Sequence, residues 1–124
     1  MEHRTSATAR GRAGEEAAAR FLETKGYRII ARNVRFRTGE IDLIADENGV
    51  LVFVEVKTRS GSDFGTAAEA VTGRKQQQLV RLASLFLAQS GSLARPCRFD
   101  VVAVEPAPTG EFACTLFTNA FAAR

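Results

Sequence analysis

Asn48-Gly49 lies between two strand-like runs, Glu40 to Ala45 before it and Val50 to Thr58 after it. An asparagine followed by a glycine supplies the two left-handed residues of a tight hairpin turn, so the runs are predicted to pair as antiparallel neighbours. With those two residues as the turn, Glu47 faces Val50. Counting outward then sets Ile44 opposite Phe53, Asp42 opposite Glu55 and Glu40 opposite Lys57, with all three pairs on one face. Val50, Val52, Val54 and Val56 fill one side of the second strand, while Leu51 and Phe53 begin the other. A strand that is apolar on both faces belongs in the middle of a sheet. Charges at Glu55 and Lys57 in such a strand need a reason.

The flanking sequence completes a single domain. Residues 1–11 show no period and read as a flexible N-terminal arm. From about Arg12 to Lys25 a helix is expected, with Ala17, Ala18, Phe21 and Leu22 on one face and Gly26 as the stop. Tyr27 to Phe36 reads as a strand. After the hairpin, Ser60 to Gly65 forms a loop, and Asp63-Phe64-Gly65 within it reads as a turn. A capping-box pattern at Thr66 and Glu69 then leads into a broken helical stretch. Leu79, Leu82, Ala83 and Phe86 mark a second helix over 74–89, Phe99 to Val104 a further strand, and Phe112 to Phe117 an extra C-terminal one. The order α-β-β-β-α-β predicts an α/β fold, one central mixed sheet flanked by helices, over residues 12–124. The length of 124 residues fits one domain.

Several chemistries are excluded. His3 is the sole histidine and stands in a polar leader, which removes Ser-His-Asp and Cys-His mechanisms. Cys97 and Cys114 have neither C-x-x-C spacing nor a histidine cluster, so they are expected to pack as small apolar residues in strands. The leader has no apolar core of a signal peptide and no run of about 18 apolar residues occurs, so a cytoplasmic chain without a membrane segment is expected. The net charge of +3 permits an anionic partner without demanding one.

Asp42 and Glu55, opposed across the hairpin, would stand about 4.5–5.5 Å apart at Cβ and repel each other unless a cation lay between them. Mg²⁺ takes oxygen ligands, commonly one or two carboxylates with water and phosphate, so the pair is apt for it. Lys57 returns to the same face and could hold a water or a phosphoryl oxygen there. In the competing reading the register is shifted, each carboxylate pairs with an arginine such as Arg37 or Arg59, and Glu40 with Lys57 is an ordinary cross-strand ion pair. At about 100° per residue, Glu15 lies roughly 20° past Leu22 and reaches the sheet edge, whereas Glu16, roughly 120° past it, is solvated. Lys75 falls within the apolar stripe of the second helix, and with Gln76 it is aimed at the site or at an anion near the helix N-terminus. The basic run Lys25, Arg28, Arg32, Arg35 and Arg37 reads either as a solvated edge strand or as a phosphate-contact strip.

Gly39-Glu40-Ile41-Asp42-Leu43-Ile44, Val52-Phe53-Val54-Glu55-Val56-Lys57-Thr58-Arg59, Phe64-Gly65, Val71, Lys75, Arg98-Phe99-Asp100-Val101-Val102 and Asn119-Ala120-Phe121 closely resemble the YraN family. Those bacterial proteins are described as endonucleases related to Holliday-junction resolvases of the restriction-endonuclease-like fold. The resemblance runs from about residue 10 to the end. It implies a divalent-metal-dependent deoxyribonuclease using Mg²⁺ or Mn²⁺, with DNA, including branched recombination intermediates, as substrate. By position, Asp42 is the motif aspartate, Glu55 and Lys57 are the Glu-x-Lys, and Glu15 matches the first-helix glutamate. These are the implied catalytic residues, with Asp42, Glu55 and Glu15 on the metal. Ile41, where the wider nuclease motif has proline, is the one departure. Arg35, Arg37, Arg59, Lys75 and Gln76 are the expected nucleic-acid contacts. Resolvases act as symmetric pairs, so a homodimer is compatible with the resemblance. The alternative function is a catalytically inactive nucleic-acid-binding module that retains the fold.

Overall fold

Asn48 and Gly49 both adopt positive φ, 53° and 89°, and close the hairpin on the expected register. In the computed structural model, which describes residues 9–58 and 71–122, β2 (Gly39–Glu47) pairs antiparallel with β3 (Val50–Thr58). Glu47 faces Val50, and Ile44 faces Phe53. β1 (Arg28–Phe36) runs antiparallel to β2, and β4 (Cys97–Pro106) is parallel to β3. β5 (Phe112–Phe121) returns antiparallel to β4. The five strands form one mixed sheet in the order β1-β2-β3-β4-β5 with β3 at its centre, as a strand apolar on both faces requires.

Two helices cover the two faces. α1 (Ala9–Thr24) lays Ala18, Ala19 and Leu22 on Leu43, Ala45, Val52, Val54, Val102 and Val104. α2 (Gly73–Gln89) lays Leu79, Leu82, Ala83 and Leu87 on Ile41, Ile44, Leu51, Phe53 and Phe99. Leu22 and Leu82 are wholly buried, each worth roughly 1.5–3 kcal/mol relative to exposure. This α/β architecture, one central mixed sheet flanked by helices in the order α-β-β-β-α-β with one further strand, is the one that was expected. α1 starts at Ala9, ahead of the predicted Arg12, and β5 runs on to Phe121. Residues 1–8 of the expected arm, the loop of Ser60 to Gly65, the Thr66/Glu69 capping pattern and Arg59 lie outside the described residues. Cys97 and Cys114 are free thiols in β4 and β5 as expected, but Cys97 is exposed because β4 begins there at the sheet end. Among the described residues no helix is long and apolar enough to cross a membrane.

A polar network is buried on the α1 face. Asp100, 1% exposed, accepts hydrogen bonds from Tyr27 Oη at 2.8 Å, Arg98 Nε at 3.0 Å and the Asn119 backbone N–H at 2.8 Å. Arg98 also donates to Glu47 Oε1 at 2.6 Å and to the Tyr27 hydroxyl at 2.7 Å. A buried carboxylate is tolerable only when its lone pairs and charge are matched in this way. The network ties the start of β1, the hairpin, β4 and β5 together, and leaves the other end of β3 for different work.

Candidate active site

Toward the far end of the hairpin the β2–β3 ladder stops at Leu43 opposite Val54. Strand alternation should put Ile41 and Leu43 on one face. Instead Ile41 packs with the α2 cluster and Leu43 with the α1 cluster, so the alternation breaks at Asp42. A local irregularity of this kind re-aims a side chain, as β-bulges do beside active sites. The Val56 N–H donates to Asp42 Oδ2 at 2.9 Å, so a side chain replaces the next backbone rung. The expected pairings of Asp42 with Glu55 and of Glu40 with Lys57 are therefore not continued as ladder rungs, because the two strands diverge before reaching them.

Glu55 sits in this opening on the α2 face and is only 6% exposed. Its Oε1 is buried and has no hydrogen-bond partner among the described residues, and its Oε2 lies 3.9 Å from Lys75 Nζ. Burial first, and then the charge of Asp42, push the Glu55 carboxyl up to about 7 against the pull of Lys75 and Lys57. Burial also raises Asp42, opposed by the Val56 N–H and the two lysines and reinforced by Glu40. The charge of Asp42 is thus felt at Glu55 although the two do not face each other as a ladder rung.

α1 delivers Glu15 to the same place. Gly14 allows the helix to approach β3 closely, since a Cβ there would fall 2.7 Å from Thr58 Oγ1. Glu15, next in sequence, is pushed up to about 7 by burial, then by Asp42 and Glu40, while a hydrogen bond from Asn33 opposes the shift. Glu16 points outward as its helical angle predicted, yet it is engaged rather than merely solvated: it pairs with Arg20 at 2.9 Å and with Arg32. At the other side of the site, α2 starts with Thr72 capping the Lys75 N–H at 3.3 Å, and this turn aims Lys75 inward. Gln78 on the same helix donates to the Thr38 carbonyl at 2.7 Å and pins the β1–β2 turn. Gly39 permits that approach, because a Cβ there would lie 2.6 Å from Gln78 Nε2.

The structure thus gathers Glu15, Asp42, Glu55, Lys57 and Lys75. Gln76 is engaged within its own helix start, its amide donating to the Val71 carbonyl at 3.0 Å. Much of the basic run is engaged with acids: Arg28 stands 3.8 Å from Asp46, Arg32 pairs with Glu16, and Arg35 lies 3.5 Å from Glu40. Lys25 lies over the Phe21 ring. β1 is the edge strand of the sheet, and Arg37 is exposed at its end. One residue escaped the sequence reading. Asn33 has a φ of 50°, and with its amide nitrogen facing the carboxylates it donates to Glu15 Oε1 at 2.9 Å and to Glu40 Oε2 at 2.7 Å. Glu40 is therefore held by Asn33 and Arg35, not by Lys57. The available signal was an asparagine inside a β-branched run, where that residue is disfavoured.

Among the described residues no three His, Cys, Asp or Glu side chains form a ready-made cage for an ion. Mg²⁺ asks for less, usually one or two carboxylates with the remaining positions left to water and phosphate. Glu55 Oε1, unpartnered among the described residues, and the repulsion of Glu55 by Asp42 and Glu15 suit such a cation.

Comparison with known proteins places these residues in context. A family model described as "Uncharacterised protein family UPF0102" matches residues 14–104, a span that includes Glu15, Asp42, Glu55, Lys57 and Lys75. A UPF0102 protein of Symbiobacterium thermophilum is 68% identical over 111 residues, covering 90% of this chain and 94% of the relative. One from Pelotomaculum thermopropionicum is 53% identical over 94 residues, 76% of this chain and 78% of its own. Among solved structures, Pyrococcus furiosus SfsA in complex with Ca²⁺ aligns at 15% identity and a TM-score of 0.39, over 87% of this chain and 62% of that one.

Proposed function

The chain belongs to the UPF0102 family, the YraN family of the sequence resemblance, and from that premise and the carboxylate geometry we propose that it is a divalent-metal-dependent endonuclease hydrolysing DNA phosphodiester bonds. One observation carries the reading: Asp42 and Glu55 meet where the central ladder opens, with Glu55 Oε1 unpartnered among the described residues and a lysine 3.9 Å from its other oxygen. Asp42 and Glu55 would hold Mg²⁺ or Mn²⁺, with Glu15 ligating directly or through water. When bound, the ion would lower the pKa of a bound water and supply a counter-charge for the phosphate.

The chain's own groups do the rest. The Val56 N–H fixes Asp42, so its carboxylate needs little reorganisation. Lys57 and Lys75 bring positive charge to where negative charge develops on the phosphoryl oxygens. Lys57 also orients the attacking water. Arg37 and Arg59 are the proposed contacts to the DNA backbone; Arg35 and Gln76 have protein partners. Branched recombination intermediates are the proposed substrates, by family resemblance, and the cytoplasm is the proposed compartment.

The test is cleavage of a panel of linear, nicked, flapped and four-way-junction DNA in Mg²⁺, in Mn²⁺ and in chelator. The reading expects metal-dependent cutting that Asp42→Ala and Glu55→Ala each abolish while DNA binding persists. Binding with no cutting by the parent would instead make the chain a binding module, and cutting that survives both substitutions would overturn the assignment of the site.

A further inference from the structure

The residue that links the carboxylates is itself uncharged. We propose that Asn33 is a positioning residue of this site, its side-chain amide tying Glu15 of α1 to Glu40 of β2 and so holding the α1 carboxylate at the opened ladder; this rests on the cation-binding reading above.

Three observations converge on Asn33. The β1–β2 ladder pairs Arg32 with Leu43 and Val34 with Ile41, but it skips the rung between them, where Asn33 would face Asp42. At that skipped rung Asn33 takes a φ of 50°, a conformation that non-glycine residues rarely adopt and that asparagine tolerates better than most. An edge strand that continues on both sides has no turn to make there, so the distortion serves something other than chain reversal. What it accompanies is the pair of hydrogen bonds to Glu15 Oε1 at 2.9 Å and Glu40 Oε2 at 2.7 Å.

The chemistry suits an amide and little else. A carboxamide nitrogen carries two hydrogens and can bridge two acceptors at once. It does so without a formal charge. A lysine or arginine in its place would neutralise the carboxylates and compete with a cation, while an aspartate would add to their repulsion. Glu40 is in turn anchored by Arg35 at 3.5 Å, so a chain of contacts from Arg35 through Glu40 and Asn33 ends on Glu15. Partners that orient a ligating side chain in this way commonly change metal affinity 10- to 100-fold when removed.

The test has two arms. In the metal-free protein, the Asn33 side-chain ¹⁵N–¹H resonances are followed in the parent, in Glu15→Ala and in Glu40→Ala. Both substitutions should move them, and unchanged resonances in both would overturn the bridge. Calorimetric titration with Mn²⁺ then compares the parent with Asn33→Gly, which keeps the backbone conformation and removes only the amide. The expected result is affinity weakened about 10-fold or more with no loss of melting temperature. Parental Mn²⁺ affinity in Asn33→Gly would reduce Asn33 to a backbone device and overturn the positioning role. A parent that takes up no Mn²⁺ would sink the cation-binding reading and the positioning role with it, leaving the resonances to decide the bridge alone.

Discussion

Asp42 Oδ2 accepts the Val56 backbone N–H at 2.9 Å, so one side chain both ends the β2–β3 ladder and is held beside Glu55. Structure and chemistry meet at that bond. The acceptor is needed to satisfy a backbone donor, and the charge is needed for the proposed cation.

The two demands separate by mutation. Asp42→Asn keeps an oxygen for Val56 and removes a negative charge from a crowded cluster, so its melting temperature in chelator is expected to equal or exceed the parent's. Asp42→Ala leaves the Val56 N–H without its partner and should be about 1–3 kcal/mol less stable than Asp42→Asn. Urea denaturation at pH 8 in chelator measures both, and an alanine variant as stable as the asparagine one would show that the bond contributes nothing.

Glu55 links stability to pH. Its carboxyl is raised from 4.5 to about 7, chiefly by burial, so between those values the folded chain holds a proton that the unfolded chain releases. Its contribution is fully present below pH 4.5 and is lost as pH rises through about 7. Glu55→Gln, which cannot ionise, should therefore be more stable than the parent at pH 8 in chelator by about 3 kcal/mol. At pH 4.5 the two should be nearly equal, and thermal melts across this range read the difference directly.

Lys75 acts on the same group. Its ammonium, 3.9 Å from Glu55 Oε2, opposes the upward shift of that carboxyl. Lys75→Ala should move the Glu55 midpoint further above neutrality, as followed by carboxyl ¹³C shifts in metal-free protein. A midpoint that stayed put or fell would mean that the lysine does not act on this carboxylate.

At the other end of the sheet the buried network is structural. Arg98→Ala removes a charged partner of Asp100, which is 1% exposed, and should cost about 3–5 kcal/mol. Tyr27→Phe removes one neutral donor to the same carboxylate and should cost about 1–3 kcal/mol. Equilibrium unfolding orders the two, and the reverse order would contradict the account of Asp100.

The strands, their antiparallel and central placement and the hairpin register were legible because Asn48-Gly49 fixes a turn and the valines of β3 fix a period of two. Glu15 and Lys75 were legible from helical angle. The break at Asp42 was not, because it is a property of backbone conformation in paired strands, and counting by twos assumes unbroken alternation. Asn33 and its hold on Glu40 were hidden for the same reason. Their contacts follow from a left-handed residue in β1 that periodicity does not encode. The Tyr27–Arg98–Asp100 network joins residues more than seventy positions apart, beyond the reach of local pattern. The basic run was visible as composition, but its pairing with Glu16, Glu40 and Asp46 depends on the packing of α1 and β2 against β1.

The most direct test of the central claim, that Asp42 and Glu55 form a cation site, is calorimetric titration of Mn²⁺ into metal-free protein at pH 8. The account predicts binding by the parent that weakens at least about 10-fold, or about 1.4 kcal/mol, in both Asp42→Asn and Glu55→Gln. No binding by the parent, or equal affinity in the parent and both variants, would contradict it.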